Sequence, residues 1–224
     1  MMEQKEQKNL SDAQDFKESK SPSISDTLHH AGAADTLPRH FRPVTSLGVE
    51  QLAETAKAII DSFYINDDGL ACACVPSGVG DIQAMHALNA LFRMDHPRFD
   101  RDAIFVPDFN WYQESSGVRD RRVDMPREIR IQPVVPGSTG ENRASQLELL
   151  QSRGLVFAEP IEQALIAATY MCRHGGSADI FMGTWARGSV PGHALPCHRF
   201  RGVRVFQYDD SDESFILSAS GRPI

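Results

Sequence analysis

The stretch "LACACVPSGVGDIQAMHALNALF", Leu70 to Phe92, constrains the fold more than any other part of the chain. "LACACV" is uncharged and short, which suits a buried strand, and Asp81 to Met94 carries the spacing of a helix. Between them "PSGVGD" has to turn the chain within a few residues. "AIFV", Ala103 to Val106, then completes a strand–helix–strand unit. Such units normally pair their strands in parallel through a right-handed crossover, and this sets the Gly78 to Asp81 turn at the carboxyl end of its strand.

The remainder extends this pattern. Val49, Leu52, Ala56, Ile59, Ile60 and Phe63 share one helical face, and the "NDDG" turn at Asn66 to Gly69 follows. "IRIQPVV", Ile129 to Val135, reads as a strand. "STGE", Ser138 to Glu141, reads as a capping box opening a helix that runs to about Arg153, with Gly154 as its stop. "LVF", Leu155 to Phe157, is a short strand, and Pro160 opens a helix that "HGG" at His174 to Gly176 ends. "DIFMGTWARG", "RFRGVRVFQY" and "ESFILSAS" predict three closing strands, with "DDSDE" turning between the last two. The expected class is therefore α/β or α+β: a mixed sheet with an early strand–helix–strand unit and an antiparallel C-terminal portion.

Residues 1–40 are mainly Glu, Gln, Lys, Ser and Asp, with too few large apolar side chains to offset the entropy of ordering. They are expected to form a disordered polar tail, either a variable extension or an export or chaperone-binding segment. Residues 41–224 are expected to form one globular domain. The tail contains no apolar core of a signal peptide, and the chain has no run of about 18 apolar residues, so neither a classical leader nor a membrane span is expected. Cys72, Cys74, Cys172 and Cys197 lack the spacing of a disulfide scaffold. A cytoplasmic protein, or one exported without a classical signal, is the expectation. The net charge of −7 opposes a broad grip on nucleic-acid phosphates.

A glycine turn between strand and helix can aim backbone N–H groups and the helix dipole at an anion. Ser77, Gly78, Gly80 and Asp81 are accordingly the candidate ligand loop, although it lacks the Lys-Ser/Thr ending of a P-loop and the third glycine of a dinucleotide fingerprint. The same residues also suit a tight turn with Ser77 or Asp81 as helix cap. "SGVGDIQAMHALNALF" resembles the opening loop and helix of heptosyltransferase-like glycosyltransferases. That resemblance implies two nucleotide-binding-type domains, more than the length beyond the tail can hold.

Cys74 falls near the end of its strand, where a helix N-terminus could favour a thiolate; His86, His174, His193 and His198 could each carry the proton, and His193 and His198 are the candidates taken with it. Cys72 and Cys74 equally suit small side chains sharing one strand face. "FNWYQESSGVRDRRVDMPREIR" sets Phe109, Trp111 and Tyr112 before Arg119, Arg121 and Arg122, a candidate phosphate clamp, with Arg127 and Arg130 following. Interleaved Glu114, Asp120, Asp124 and Glu128 suit a solvated, salt-bridged loop as well. Trp185 to Gly202, rich in Gly and Pro, is expected as a loop carrying Arg187, Ser189, His193, Cys197 and His198.

The residues thus favour a ligand-binding enzyme of transfer or hydrolysis chemistry acting on a phosphate-bearing or otherwise anionic molecule, with no cofactor assigned. A non-enzymatic protein-interaction protein, an effector or regulator using Trp111 or Trp185, is the alternative. A zinc-stabilised module built from Cys172, His174, His193, Cys197 and His198 ranks below both, because the spacing is irregular.

Overall fold

The computed structural model describes residues 48–95, 124–175, 178–198, 202–203, 206–207 and 217–224. The expected polar tail, the "AIFV" strand and the aromatic–arginine run through Arg122 lie outside the described residues. What is described is a mixed α+β fold whose apolar residues converge on a central helix.

Helix α1, Val49–Asp61, buries Leu52, Ala56 and Ile59, the face its periodicity marks. Just beyond it, Ser62 Oγ donates to Ile59 O at 2.7 Å and accepts from Cys74 N at 2.8 Å, which ties the helix end to the first sheet. Strands β1, Tyr64–Ile65, and β2, Ala71–Val75, form an antiparallel hairpin. Its turn is built by Asn66, whose Oδ1 accepts from the N–H groups of Asp68 and Leu70. This side-chain mimicry of a turn explains why Asn serves there.

Helix α2, Asp81–Asp95, follows the glycine turn and packs between α1 and the central helix. Polar side chains are buried along it as well: Gln83 and Asn89 lie buried with Met85, Leu88 and Phe92. Strand β3, Arg127–Ile131, pairs antiparallel with β2 over five residues, giving a sheet of order β1-β2-β3. The described strand–helix–strand succession is thus β2-α2-β3, with its two strands running opposite ways. The strand expected through Val135 ends at Ile131, because Pro133 has no N–H to give a ladder. Gln132 instead bridges Gly221.

Helix α3, Arg143–Ser152, starts later than the "STGE" pattern predicts. Asn142 is its cap, accepting from Ser145 N at 2.9 Å. Ser138 is buried and its Oγ accepts from Ala219 N at 2.9 Å, so a long-range partner has taken the hydroxyl that the local motif would use. Strand β4 is Leu155–Phe157, as its sequence suggests. Helix α4, Pro160–His174, is the central helix. Ile161, Ala164, Leu165, Ile166, Ala167, Ala168 and Met171 are all buried, which a helix can achieve only when layers cover it on more than one side.

The C-terminal sheet contains β5, Trp185–Arg187, β6, His193–His198, β7, Gly202–Val203, β8, Phe206–Gln207, and β9, Leu217–Ala219. Strand β6 pairs antiparallel with β5, β7 and β8, while β5 and β9 run parallel. Within the Trp185 to Gly202 segment, expected as a loop, Trp185–Arg187 and His193–His198 are strands instead, held in ladder hydrogen bonds that no local signal announces. Conversely, the first part of "DIFMGTWARG" turns rather than extends. Asp179 accepts from Phe181 N at 2.8 Å and from Gly183 N at 2.7 Å, and Met182 and Gly183 both have positive φ. Strand β10, Gly221–Pro223, pairs with β4 in a separate two-stranded ladder. Among the described residues, no helix is long and apolar enough to cross a membrane.

Candidate functional site

Pro76 to Val79 forms a turn closed by Val79 N to Pro76 O at 3.2 Å, with Gly78 at φ +72°. Positive φ at the third turn position is the reason glycine stands there. Gly80 acts as the helix cap: its carbonyl accepts from Ala84 N at 2.9 Å, and its N–H donates to Gln83 Oε1 at 3.1 Å. Two of the N–H groups that an anion would use are thus committed within the protein. Ser77 and Gly78 are exposed, whereas Gly80 and Asp81 are buried.

Asp81, 0% exposed, is paired with the Arg127 guanidinium. Register explains the position of that arginine. Arg127, Ile129 and Ile131 lie opposite Val75, Ala73 and Ala71, so they alternate onto the face of the sheet that the core covers. Arg127 is the charged member of this otherwise apolar row, and its side chain is 20% exposed. Burial lowers its pKa; Glu162, Glu159 and Cys74 act in the opposite sense. Glu159 and Glu162 stand at the start of α4, where Glu162 Oε2 accepts from Glu159 N at 3.2 Å. Arg222 of β10 approaches both carboxylates at 3.7 Å. Two helix starts and two strands therefore meet through alternating charges, where acidic groups complement the helix dipoles.

The other face of the sheet carries different chemistry. Cys72 and Cys74 point away from Ala71, Ala73 and Val75, so the two thiols do share a face. Cys72 is opposite Tyr64 on one side and Arg130 on the other, and Cys74 is opposite Glu128. Tyr64 Oη donates to Glu128 Oε1 at 2.8 Å and Arg130 Nε donates to Oε2 at 2.6 Å. These bonds hold the Glu128 carboxyl below its ordinary range and push the Tyr64 phenol up to about 12. Burial raises the Cys72 thiol. Cys74 is half-buried, with its Sγ 3.9 Å from Val75 O.

The sequence candidates are thus distributed rather than gathered. Cys74 belongs to the β1-β2-β3 sheet, whereas His193 and His198 are the first and last residues of β6 in the C-terminal sheet. Ser77, Gly78, Gly80 and Asp81 form one continuous turn and helix start. Arg119, Arg121 and Arg122 lie outside the described residues. Cys172 on α4 has its Sγ 3.7 Å from Leu88 O, and His174 stacks on Tyr170 with ring centroids 4.5 Å apart. Among the described residues, no group of three or more His, Cys, Asp or Glu side chains could hold a metal ion. The pairing of Asp81 with Arg127, and the nearby Glu159, Glu162 and Arg222, were not expected. For Arg127 a signal was present: its alternation with Ile129 and Ile131 marks it as facing inward.

No protein-family model matches the chain, and neither a curated protein nor a solved structure matches it.

Proposed function

We propose that the chain is a ligand-binding enzyme of transfer or hydrolysis chemistry that takes a phosphate-bearing or otherwise anionic ligand beside the Pro76–Gly80 turn, with Arg127 as its clamp. The observation carrying this reading is a largely buried guanidinium on the core face of a sheet, next to a glycine turn that opens a helix. Buried charges add little stability over apolar replacements of the same shape, so an ion network at a strand end bordering a tight turn suits a binding role. Asp81 and Glu162, both buried, are the acid–base candidates. The free thiols of Cys72, Cys74 and Cys172 suit a reducing compartment, in the cytoplasm or after export without a classical signal.

Thermal unfolding of the full chain with phosphate, pyrophosphate, nucleotides and sugar nucleotides tests it, alongside Arg127→Met. A ligand that raises the midpoint of the wild type and leaves a folded Arg127→Met unchanged supports the reading, since binding to the native state stabilises it. A panel that shifts neither protein overturns it.

A second reading, a protein-interaction protein, is favoured by one specific observation. Tyr64 and Ile65 are 48% and 54% exposed on the two-residue strand at the edge of the first sheet. An exposed edge carrying an aromatic and a β-branched residue is a surface on which a partner strand can pair. Ile65→Lys, which keeps the Tyr64 bond to Glu128, would abolish capture of such a partner while leaving thermal stability near the wild type.

A further inference from the structure

Resting on the reading that an anion enters beside Arg127, we propose that Asp81 is a built-in competitor of that anion. The carboxylate is fully buried at the first residue of α2 and already engages the guanidinium that the ligand would need. Among the described residues, the titratable groups around Arg127 of β3 are Asp81 from α2, Glu159 and Glu162 from α4 and the Cys74 thiol of β2, with Arg222 from β10 against the two glutamates. An incoming anion therefore has to compete with carboxylates already held close to the guanidinium, in a medium that screens poorly. Asp81 thus supplies, when the site is ligand-free, the counter-charge that a buried arginine requires. It also repels or gives way to any anion that approaches. The site is self-inhibited, and the ligand must hold Arg127 better than the protein's own carboxylate does.

Calorimetric titration of the full chain with inorganic pyrophosphate, comparing wild type with Asp81→Asn, tests this directly. The amide keeps the shape and removes the charge, and Asp81→Asn is expected to bind pyrophosphate at least ten-fold more tightly. Binding by Asp81→Asn where the wild type shows none also supports the competitor role. Wild-type binding that a folded Asp81→Asn does not improve overturns that role and leaves the anion site standing. No binding by either folded protein overturns both. Should Asp81→Asn not fold, Asp81→Ser carries the same titration with sulfate as the probe. A folded Asp81→Ser that binds sulfate at least ten-fold more tightly than the wild type supports the proposal, and equal binding overturns it.

Discussion

Gln146 of α3 and Arg187 of β5 meet in the interior, with Arg187 Nη1 donating to Gln146 Oε1 at 3.1 Å. The same amide donates through Nε2 to the carbonyls of Ser138 and Leu217, and Arg187 Nη1 also reaches Glu141 O at 2.7 Å. One fully buried side chain thereby joins the loop before α3 to two strands of the C-terminal sheet. Gln146→Leu removes an acceptor and two donations at once. It should cost roughly 2–3 kcal/mol, since buried polar groups left without partners retain their desolvation penalty. Chemical denaturation of the two proteins measures the difference.

Gly188 and Gly78 should respond differently to alanine. A Cβ at Gly188 would lie 2.8 Å from Ala158 O, which itself accepts from Ser189 N, so the backbone cannot retreat. Gly188→Ala is expected to cost about 1–3 kcal/mol through overpacking. At Gly78 nothing stands within 4 Å, and only the φ of +72° opposes a side chain, a penalty of about 1–2 kcal/mol. Supplying D-alanine at Gly78 by semisynthesis checks the cause there: a D residue suits positive φ, so it should restore the stability that L-alanine loses.

Phe181 is fully buried in the main core although it sits in an irregular turn. Phe181→Ala should lose about 3–5 kcal/mol, as large-to-small replacements in close-packed interiors do. Met182, the next residue, is 81% exposed, and Met182→Ala should change stability by less than about 0.5 kcal/mol. Equilibrium unfolding of both variants checks the contrast.

Tyr64 offers a titration that reports directly on its bond to Glu128, provided circular dichroism shows the fold intact across the pH range. Its phenol ionises at about 12 because it donates to Glu128, so its ultraviolet titration, isolated by subtracting Tyr64→Phe, should lie well above that of an ordinary tyrosine. In Glu128→Gln it should return toward 10. The sign for stability is that of a raised group: the contribution is present below the ordinary tyrosine pKa and is lost as pH rises through about 12. For Glu128, whose pKa is lowered, the contribution is present above the ordinary carboxyl range and is lost as pH falls through the folded value.

Helices were legible in the sequence where one period and one boundary signal agreed. α4 begins at Pro160 and ends at His174 because proline suits the first helical position and Gly175, at φ +95°, can end the run. β4 was legible for the same reason, as a short apolar run between a glycine and a polar turn. β6 was not, since "HALPCH" contains a proline and little alternation, and its pairing with β5, β7 and β8 is set by residues distant in sequence. The start of α3 was misplaced because Ser138 satisfies a strand instead of a helix end. At the candidate site the glycine turn was readable from its residues. The meeting of Asp81, Arg127, Glu162 and Arg222 was not, because it depends on four segments from across the chain being brought together.

The strands β9 and β10 are separated by Ser220 alone, yet they serve different ladders, β9 against β5 and β10 against β4. Ser220 fastens the crossing itself: its N–H donates to Arg187 O and its carbonyl accepts from Ala158 N. During synthesis these two ladders cannot close until the stretch through Pro223 has left the ribosome. Until then β4 and β5 each lack one of their described neighbours, so a strand edge stays open on either side of the crossing while the rest of the chain has already emerged.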